Sequence, residues 1–312
     1  MRIRPHLLIL TLLVSISCFA QKDSSDISQN KSFAFNYEND FFTATDRYYT
    51  QGLRFEYVLP VFSKLPLMKI LPHLSGAVTQ YGLSVSQDCY TPTEVTTPTI
   101  RYGDRPYAGA MYLGHYEVST NEAREQKLTS EVDLGDIGPC AVCGEEQTAI
   151  HKALGDYLPK GWQYQIGTTP LINYKLRFEK GILRDSIASF TGITETNIGT
   201  YYDNTSLGLD LHFGKMQSYF SGNHSRKFQL YAFVQGWVKF VAYNSTLEGG
   251  VFDNSPYMLA PSAIENVIFK WSYGICLSYK KIALEYSNAY ITREIRDGYQ
   301  HAWGHLGFVD YF

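Results

Sequence analysis

The sequence has 312 residues, 15% of them aromatic with 25 Tyr and 18 Phe, and a formal net charge of −3. The near-neutral charge gives no reason to propose a nucleic-acid partner. The mean hydropathy is only −0.20, so the chain is rich in aromatic residues yet polar overall. Strands that alternate lipid-facing apolar side chains with lumen-facing polar ones produce this composition. The composition therefore favours an all-β membrane protein of one domain.

The first 20 residues predict a secretory signal peptide. Two arginines precede an apolar run from Leu7 to Ile16, and Cys18-Phe19-Ala20 forms a small-x-small cleavage pattern. A lipoprotein that uses Cys18 is an alternative, although the preceding residues lack the expected leucine. The mature domain would then span residues 21–312, without an apolar run approaching the ~20 residues that a membrane helix needs. Strands must therefore make any membrane crossing.

The first predicted strand ends in the polar pair Asn39-Asp40. If the aromatic side chains of this strand face lipid, alternation sends Glu38 and Asp40 inward and leaves Asn39 on the outer face. In the next strand the same rule places inward the residues Tyr48, Thr50 and Gly52. Asp40 and Thr50 would then meet near one barrel mouth, whereas Asn39 needs a bulge or the strand end to join them. Ordinary turn chemistry in a solvated loop is the alternative explanation of such a cluster.

Alternating strands continue along the whole chain. One apolar face consists of Leu207, Leu209, Leu211 and Phe213, and the opposite face of Gly208, Asp210 and His212. Two more alternating strands cover residues 53–59 and 282–290, and further strands begin near Ser32, Val78, Tyr107, Lys127, Pro170, Ser186, Lys227, Val267 and His301. Together they predict a transmembrane antiparallel β-barrel of about 12 strands. A soluble β-sandwich with its aromatic faces packed into a core is the alternative.

A single strongly helical stretch interrupts the strands between Leu134 and Trp162. Glu145 and Glu146 suit a helix N-terminus, and Gly155 is a plausible stop. Gln147 and His151 are four residues apart and share one face. Docking against the barrel is expected through the apolar residues Ala149, Ile150, Ala153 and Leu154. The helix thus presents a titratable base on a polar face, although a purely structural histidine is the alternative.

Four cysteines remain after the signal peptide. In an oxidising compartment Cys140 and Cys143 can form a local disulfide just before the helix, and we expect this pairing. A redox or zinc site is less favoured because the chain has no second CxxC and no HxxxH partner. The sequence also has no GxSxG elbow and no HExxH pair, so an α/β hydrolase or a zinc protease has no support.

Six short motifs follow one another in the order ENDFF, TDRYYTQGLR, QDCYTPT, GDRPYAGAMYLG, DLGDIGPCAVCGEEQTAIHKALG and PKGWQYQI. Their number and order resemble the outer-membrane lipid A 3′-O-deacylase family across essentially the whole mature chain. The resemblance implies a twelve-stranded barrel in the bacterial outer membrane. It also implies a calcium-dependent site between the wall and a surface-loop helix, which removes the 3′-acyloxyacyl group from lipid A of lipopolysaccharide.

The resemblance carries over to individual residues. His151 matches the family's general base, and Asn39 and Asp40 match its Asn-Asp pair. Thr50 matches the Ser/Thr position beside that pair, and Gln147 matches a helix glutamine to which we assign no role. Two departures are evident. The segment 94–99 lacks the family's lysine, and the acidic position about two turns after the histidine falls on Asp156 or Tyr157.

The implied mechanism is ester hydrolysis of the secreted-phospholipase kind. His151 takes a proton from water, which attacks the ester carbonyl, while Asp40 holds a calcium ion and Asn39 donates a hydrogen bond. Oxygen ligands from Asp40, Thr50 and backbone carbonyls suit calcium better than zinc. We expect a monomer with lipopolysaccharide as its partner. A non-catalytic barrel of the same fold, acting as a channel or structural protein with the helix as a plug, is the alternative.

Overall fold

The computed structural model describes residues 26–44, 47–222, 227–251 and 255–312, so the signal peptide predicted for residues 1–20 lies outside the described residues. Twelve barrel strands are present: β1 Ser32–Asn39, β2 Tyr48–Val58, β3 Val78–Thr91, β4 Ala108–Asn121, β5 Gln126–Ile137, β6 Thr169–Arg184, β7 Ala188–Gly199, β8 Tyr202–Lys215, β9 Gln229–Asn244, β10 Val267–Tyr279, β11 Ile282–Ile291 and β12 His301–Tyr311. The predicted strand number is therefore confirmed.

Each strand pairs antiparallel with its sequence neighbours, and β12 pairs with β1 to close the sheet. The register at closure places Leu306 opposite Tyr37 and Phe308 opposite Phe35. A two-residue strand, Asp26–Ile27, adds to the start of β3 in parallel. Closure removes every long sheet edge, which is how a barrel satisfies its backbone hydrogen bonds in lipid. The closed sheet is a barrel and not the alternative β-sandwich.

Within the described residues, two α-helices and several single-turn helices lie in the connections. The α-helices are α1 Cys143–Leu154 and α2 Ser245–Glu248, and the 3₁₀ turns are Asp40–Thr43, Pro60–Lys64, Leu67–Lys69, Pro139–Ala141, Trp162–Tyr164 and Pro261–Ala263. Helix α1, the turn at residues 40–43 and α2 all lie at one end of the barrel, which we call the helix end. Both described chain ends lie at the other. None of the helices in the described residues is long and apolar enough to span a membrane.

The side-chain alternation predicted from the sequence is present in the barrel wall. In β8, Leu209 is 51% exposed on the outer surface whereas its neighbour Asp210 is fully buried in the lumen. Phe269, Phe55 and Leu113 on other strands are exposed to a similar extent. The outer surface is thus a continuous apolar band, and the polar faces of the same strands fill the interior.

The lumen is occupied by paired charges. Near mid-height the carboxylate of Glu131 accepts a hydrogen bond from Arg54 at 2.8 Å and pairs with Lys175. Towards the chain ends, Glu179 pairs with Lys127 at 3.1 Å and with Arg177. These charged side chains pair with one another across the lumen.

Candidate functional site

The end of β1 places Asn39 and Asp40 at the helix end of the barrel. Asn39 is the last residue of the strand, and its Oδ1 accepts a hydrogen bond from the backbone N–H of Phe41 at 2.8 Å. This N-cap turns the chain out of the sheet into the 3₁₀ turn that begins with Asp40. In the register Asn39 lies opposite Gln51 of β2. Asp40 is almost fully buried beside it.

A β-bulge changes the facing of β2 beside this turn. The pairing of β2 with β3 passes from Tyr49 opposite Tyr90 directly to Gln51 opposite Cys89, so Thr50 is the additional residue. Tyr49 therefore turns into the lumen, where its hydroxyl donates to Glu38 at 2.7 Å. The strict alternation predicted for residues 48–52 is wrong at this point, because a bulge shifts the phase of a strand. Thr50 itself is buried.

Helix α1 begins and ends much as the sequence predicts. Glu145 and Glu146 lie in its first turn, and Gly155 ends it in a left-handed conformation with φ 73°. The prediction that Ala149, Ile150, Ala153 and Leu154 dock the helix is wrong, because all four are exposed. The buried residues of α1 are Cys143 and Gln147. Only the first half of the helix is therefore seated on the protein.

The disulfide also differs from the prediction. Cys143 pairs with Cys89 of β3, with a Cα–Cα distance of 5.8 Å, and not with Cys140. Cys140 is a free, exposed thiol, and Cys276 is a free thiol within the barrel. Burial and the nearby charge of Asp136 raise the pKa of the Cys140 thiol. The local CxxC pair forms no disulfide because Cys143 is turned towards the barrel wall.

Two glutamines of the wall hold α1 from below. Gln87 of β3 donates from Nε2 to the carboxylate of Glu146 at 2.9 Å and to the carbonyl of Ala141 at 2.7 Å. Gln51 donates in turn to Oε1 of Gln87 at 3.3 Å. Sequence reasoning missed both glutamines. The available signal was a polar side chain at a position where alternation predicts a lipid-facing one. Each glutamine stands in a motif, Gln51 in TDRYYTQGLR and Gln87 in QDCYTPT.

Tyr37 lies near both the strand end and the first turn of the helix. Its hydroxyl interacts with the side chain of Asn39 and lies within electrostatic reach of Asp40 and Glu146. The wall residues of the predicted site and the first turn of α1 therefore share one region on the outer face. Tyr37 and Glu146 were not among the predicted site residues.

His151 is fixed by the chain that follows the helix. Its Nδ1 lies 2.7 Å from the carbonyl oxygen of Tyr157. A carbonyl can only accept, so Nδ1 carries the hydrogen and Nε2 keeps its lone pair in the neutral ring. Asp156 supports this turn, since its Oδ1 accepts from the backbone N–H of Tyr157 at 2.7 Å. Asp156, one of the two candidates for the acidic position after the histidine, is therefore linked to His151 through the backbone of Tyr157.

Gln147 lies one turn before His151 and is only 8% exposed. Its Oε1 accepts from the indole N–H of Trp162 at 2.8 Å. Its Nε2 is buried and has no hydrogen-bond partner among the residues that the structure describes. A buried donor without a partner is costly in a folded protein, so this amide is available to an acceptor on a ligand.

The segment 94–99, which lacks the family's lysine, lies next to another lysine of the chain, Lys160. The backbone N–H of Lys160 donates to the carbonyl of Val95 at 2.8 Å, which brings the PKGW segment beside residues 94–99. Within that segment Glu94 accepts from Thr96, and these hydrogen bonds lower the pKa of the Glu94 carboxyl. A positive charge is therefore available near this connection from elsewhere in the chain.

A groove of about 460 Å³ runs between the wall and the start of α1. Its lining is mostly apolar, with polar groups at the helix side: Leu53, Phe55, Val85, Ser86, Gln87, Met111, Val142, Glu145 and Glu146. The apolar wall residues belong to the lipid-facing parity of β2, β3 and β4. The groove is consequently continuous with the outer band of the barrel, and it connects that band with the polar residues under the helix.

The donor set at the strand end fits a hard cation. Asp40 offers a buried carboxylate, Thr50 a hydroxyl and the adjoining turn its carbonyl oxygens, all of them oxygen ligands of the kind that calcium prefers. Among the described residues no cluster of three His, Cys, Asp or Glu side chains suits a metal ion. A site of this composition does not fit zinc, which takes nitrogen and sulfur ligands.

Comparisons with known proteins agree with the motif order. The sequence model of the family described as outer membrane protein LpxR matches residues 7–312. Among solved structures, LpxR from Salmonella typhimurium superimposes with a TM-score of 0.74 at 20% identity, covering 90% of this chain and 100% of that one. The β domain of the Bordetella autotransporter BrkA matches with a TM-score of 0.49 at 10% identity, covering 91% and 99%. No curated protein sequence matches significantly.

Proposed function

The chain belongs to the family of outer membrane protein LpxR, and from this membership we propose that it is a lipid A 3′-O-deacylase. It is an outer-membrane β-barrel, as the family and the fold establish. The proposed reaction is hydrolysis of the ester that joins the 3′-acyloxyacyl group to the lipid A disaccharide. The site is built within one chain, so the proposed active form is a monomer.

The orientation of His151 is the observation that carries this proposal. With Nδ1–H donated to the Tyr157 carbonyl, Nε2 is the basic nitrogen of the ring. Nε2 accepts a proton from water as the water oxygen attacks the ester carbonyl, and it returns that proton to the departing sugar oxygen. General base catalysis of this kind contributes about 10²–10⁴-fold to a rate.

The remaining residues bind and polarise the ester. The unpartnered Nε2 of Gln147 and the amide of Asn39 are the donors that we assign to the carbonyl oxygen. Asp40 and Thr50 would hold calcium, which when bound supplies positive charge for the oxyanion. The groove under α1 supports a lipid substrate, because an acyl chain can enter it sideways from the apolar outer band.

The alternative of a channel receives no support from the lumen. Paired side chains such as Arg54 and Glu131 occupy it at mid-height, whereas His151 and the buried amide of Gln147 lie on the helix outside the wall. We therefore propose the hydrolase over the channel or structural barrel, with α1 as part of an active site and not as a plug.

The proposal is tested by incubating the detergent-refolded protein with lipid A in calcium and then in excess chelator, with product masses read by mass spectrometry. We expect loss of an acyloxyacyl unit only in calcium, and a rate lower by about 10²–10⁴-fold for His151→Gln. His73→Gln, in the connection between β2 and β3 at the opposite end, is the matched control and should keep the wild-type rate. A folded wild-type barrel that leaves lipid A unchanged would overturn the proposal.

A further inference from the structure

Helix α1 is attached to the barrel at one end. Of its twelve residues only Cys143 and Gln147 are buried, whereas Leu154 is 74% exposed and every residue from 152 to 158 is exposed. Val142, just before the helix, has a left-handed backbone with φ 53°, and Gly138 has φ 124°. The connection into α1 therefore bends sharply twice before the helix begins.

The covalent link to the wall lies at that attached end. Cys143 is the first residue of α1, and its disulfide partner Cys89 lies in β3, two residues after Gln87 and on the same face of the strand. A small buried cluster surrounds the bond, with Tyr107, Ala141 and Trp162 as its other members. The bond closes a segment with a sequence separation of 54 residues. It thereby joins two parts of the chain that are distant in sequence.

His151 lies well along the helix from this disulfide, so a small tilt at the first turn moves the His151 ring by a larger distance. Eight residues separate it from Cys143, which is about 12 Å along an α-helix. A tilt of about 5° at the first turn would displace the ring by about 1 Å over that length. A misplacement of about 1 Å can cost about 10²-fold in rate. The position of the base is therefore sensitive to how firmly the first turn is held.

We propose that Cys89 and Cys143 are positioning residues, and that their disulfide holds α1 on the wall so that His151 faces Asn39 and Asp40. This inference rests on the proposed function for its kinetic part. The bond acts on the helix and not on the substrate, because the apolar wall side of the groove, with Leu53, Phe55 and Val85, stays in place with the strand end when the helix moves. Loss of the bond should therefore lower kcat and leave KM close to its wild-type value.

The free cysteines decide how the test is built. Cys140 lies three residues before Cys143 and is exposed, so it can capture Cys89 or Cys143 once their bond is broken. We therefore start from Cys140→Ser/Cys276→Ser, which keeps the disulfide and serves as the matched control. Cys89→Ala/Cys143→Ala is then added to remove the bond. Heat-modified gel mobility verifies that both proteins form the barrel.

Two measurements test the inference on the refolded proteins. The first is kcat and KM on lipid A in calcium, for which we expect kcat to fall about tenfold or more without the bond. The second is hydrogen exchange at residues 143–154, which should become faster without the bond while the strands stay protected. Reducing the control protein with a phosphine converts the disulfide to two thiols and the phosphine to its oxide. It should reproduce both effects, and reoxidation should reverse them.

The outcomes separate this inference from the proposed function. A control protein that is inactive on lipid A would overturn the deacylase, while exchange in α1 would still decide whether the bond holds the helix. Equal kcat and equal exchange with and without the bond would overturn the inference and leave the deacylase standing. A rise in KM at constant kcat would also overturn it, because the bond would then serve substrate binding.

Discussion

Polar side chains occupy two settings in this barrel, the lumen at mid-height and the outer face under α1. In the lumen, Glu131 is paired with both Arg54 and Lys175, so its charge is balanced inside the protein. On the helix, Gln147 keeps a buried donor that has no partner among the described residues, and His151 keeps the lone pair of Nε2. We call the Glu131 cluster closed because its charges are paired with one another, and we call the cluster at the helix open because it offers groups to a ligand. A closed cluster is therefore expected to act mainly on stability, and an open one on activity.

The largest effect on stability is expected in the closed cluster. Glu131→Gln removes the charge that Arg54 and Lys175 share in the lumen. Breaking a buried ion pair by neutralising one partner costs about 3–5 kcal/mol, because the other charges stay buried and unbalanced. We expect the free energy of unfolding in urea to fall by about that amount, with kcat on lipid A unchanged in the folded fraction. A large loss of kcat with normal stability would contradict the division into two settings.

The open cluster should respond in the opposite way. Gln87→Ala removes both hydrogen bonds through which the wall holds Glu146 and the Ala141 carbonyl. Hydrogen bonds to charged groups are worth about 1.5–3 kcal/mol, and this energy holds α1 on the wall. We therefore expect kcat to fall about tenfold or more, while the urea midpoint changes little because α1 lies outside the sheet whose unfolding sets that midpoint. Gln80→Ala is the matched control in the same strand, since Gln80 bonds the Gly222 carbonyl near the other end. Equal kinetics for the two variants would show that Gln87 does not position the helix.

The strands could be read from the sequence, because their signal is local. Alternation between lipid and lumen is imposed on each strand separately, and all twelve were placed from it. The disulfide could not be read in this way. Spacing favoured Cys140 with Cys143, but pairing depends on which cysteine the folded helix turns towards the wall, and Cys89 lies there.

Two other errors have physical causes of the same kind. The bulge at Thr50 shifts the parity of β2, and nothing in the composition of residues 48–52 marks it. The apolar periodicity of α1, which includes Ile150 and Leu154, predicts a docking face that the structure does not show. Beside a lipid-facing wall an exposed apolar face is not costly as it is in water, so apolar periodicity in α1 does not indicate contact with protein.

Acid should destabilise the helix end by breaking the ion pair between Arg105 and Glu294. Arg105 is almost fully buried, and its guanidinium donates to Glu294 at 2.7 Å and to Thr246 at 2.7 Å. Burial of the Glu294 carboxyl opposes ionisation, but the Arg105 charge outweighs it and holds the pKa of Glu294 below its usual range. A lowered pKa contributes stability above the ordinary glutamate value, and that contribution is lost as the pH falls through the lowered value.

Glu294→Gln isolates this contribution and is expected to have the smallest effect of the three substitutions. The glutamine oxygen can still accept from Arg105, and solvent reaches part of the Glu294 side chain but hardly any of Glu131. The loss at pH 7 should therefore be about 1 kcal/mol, as for an ion pair near the surface. The difference in Tm between wild type and variant should shrink as the pH falls below the ordinary glutamate range. A constant difference at all pH values would assign the effect to packing and not to charge. Because Glu294 lies at the helix end yet belongs to a closed cluster, its variant should change the acid limb of stability and leave kcat at pH 7 unaltered.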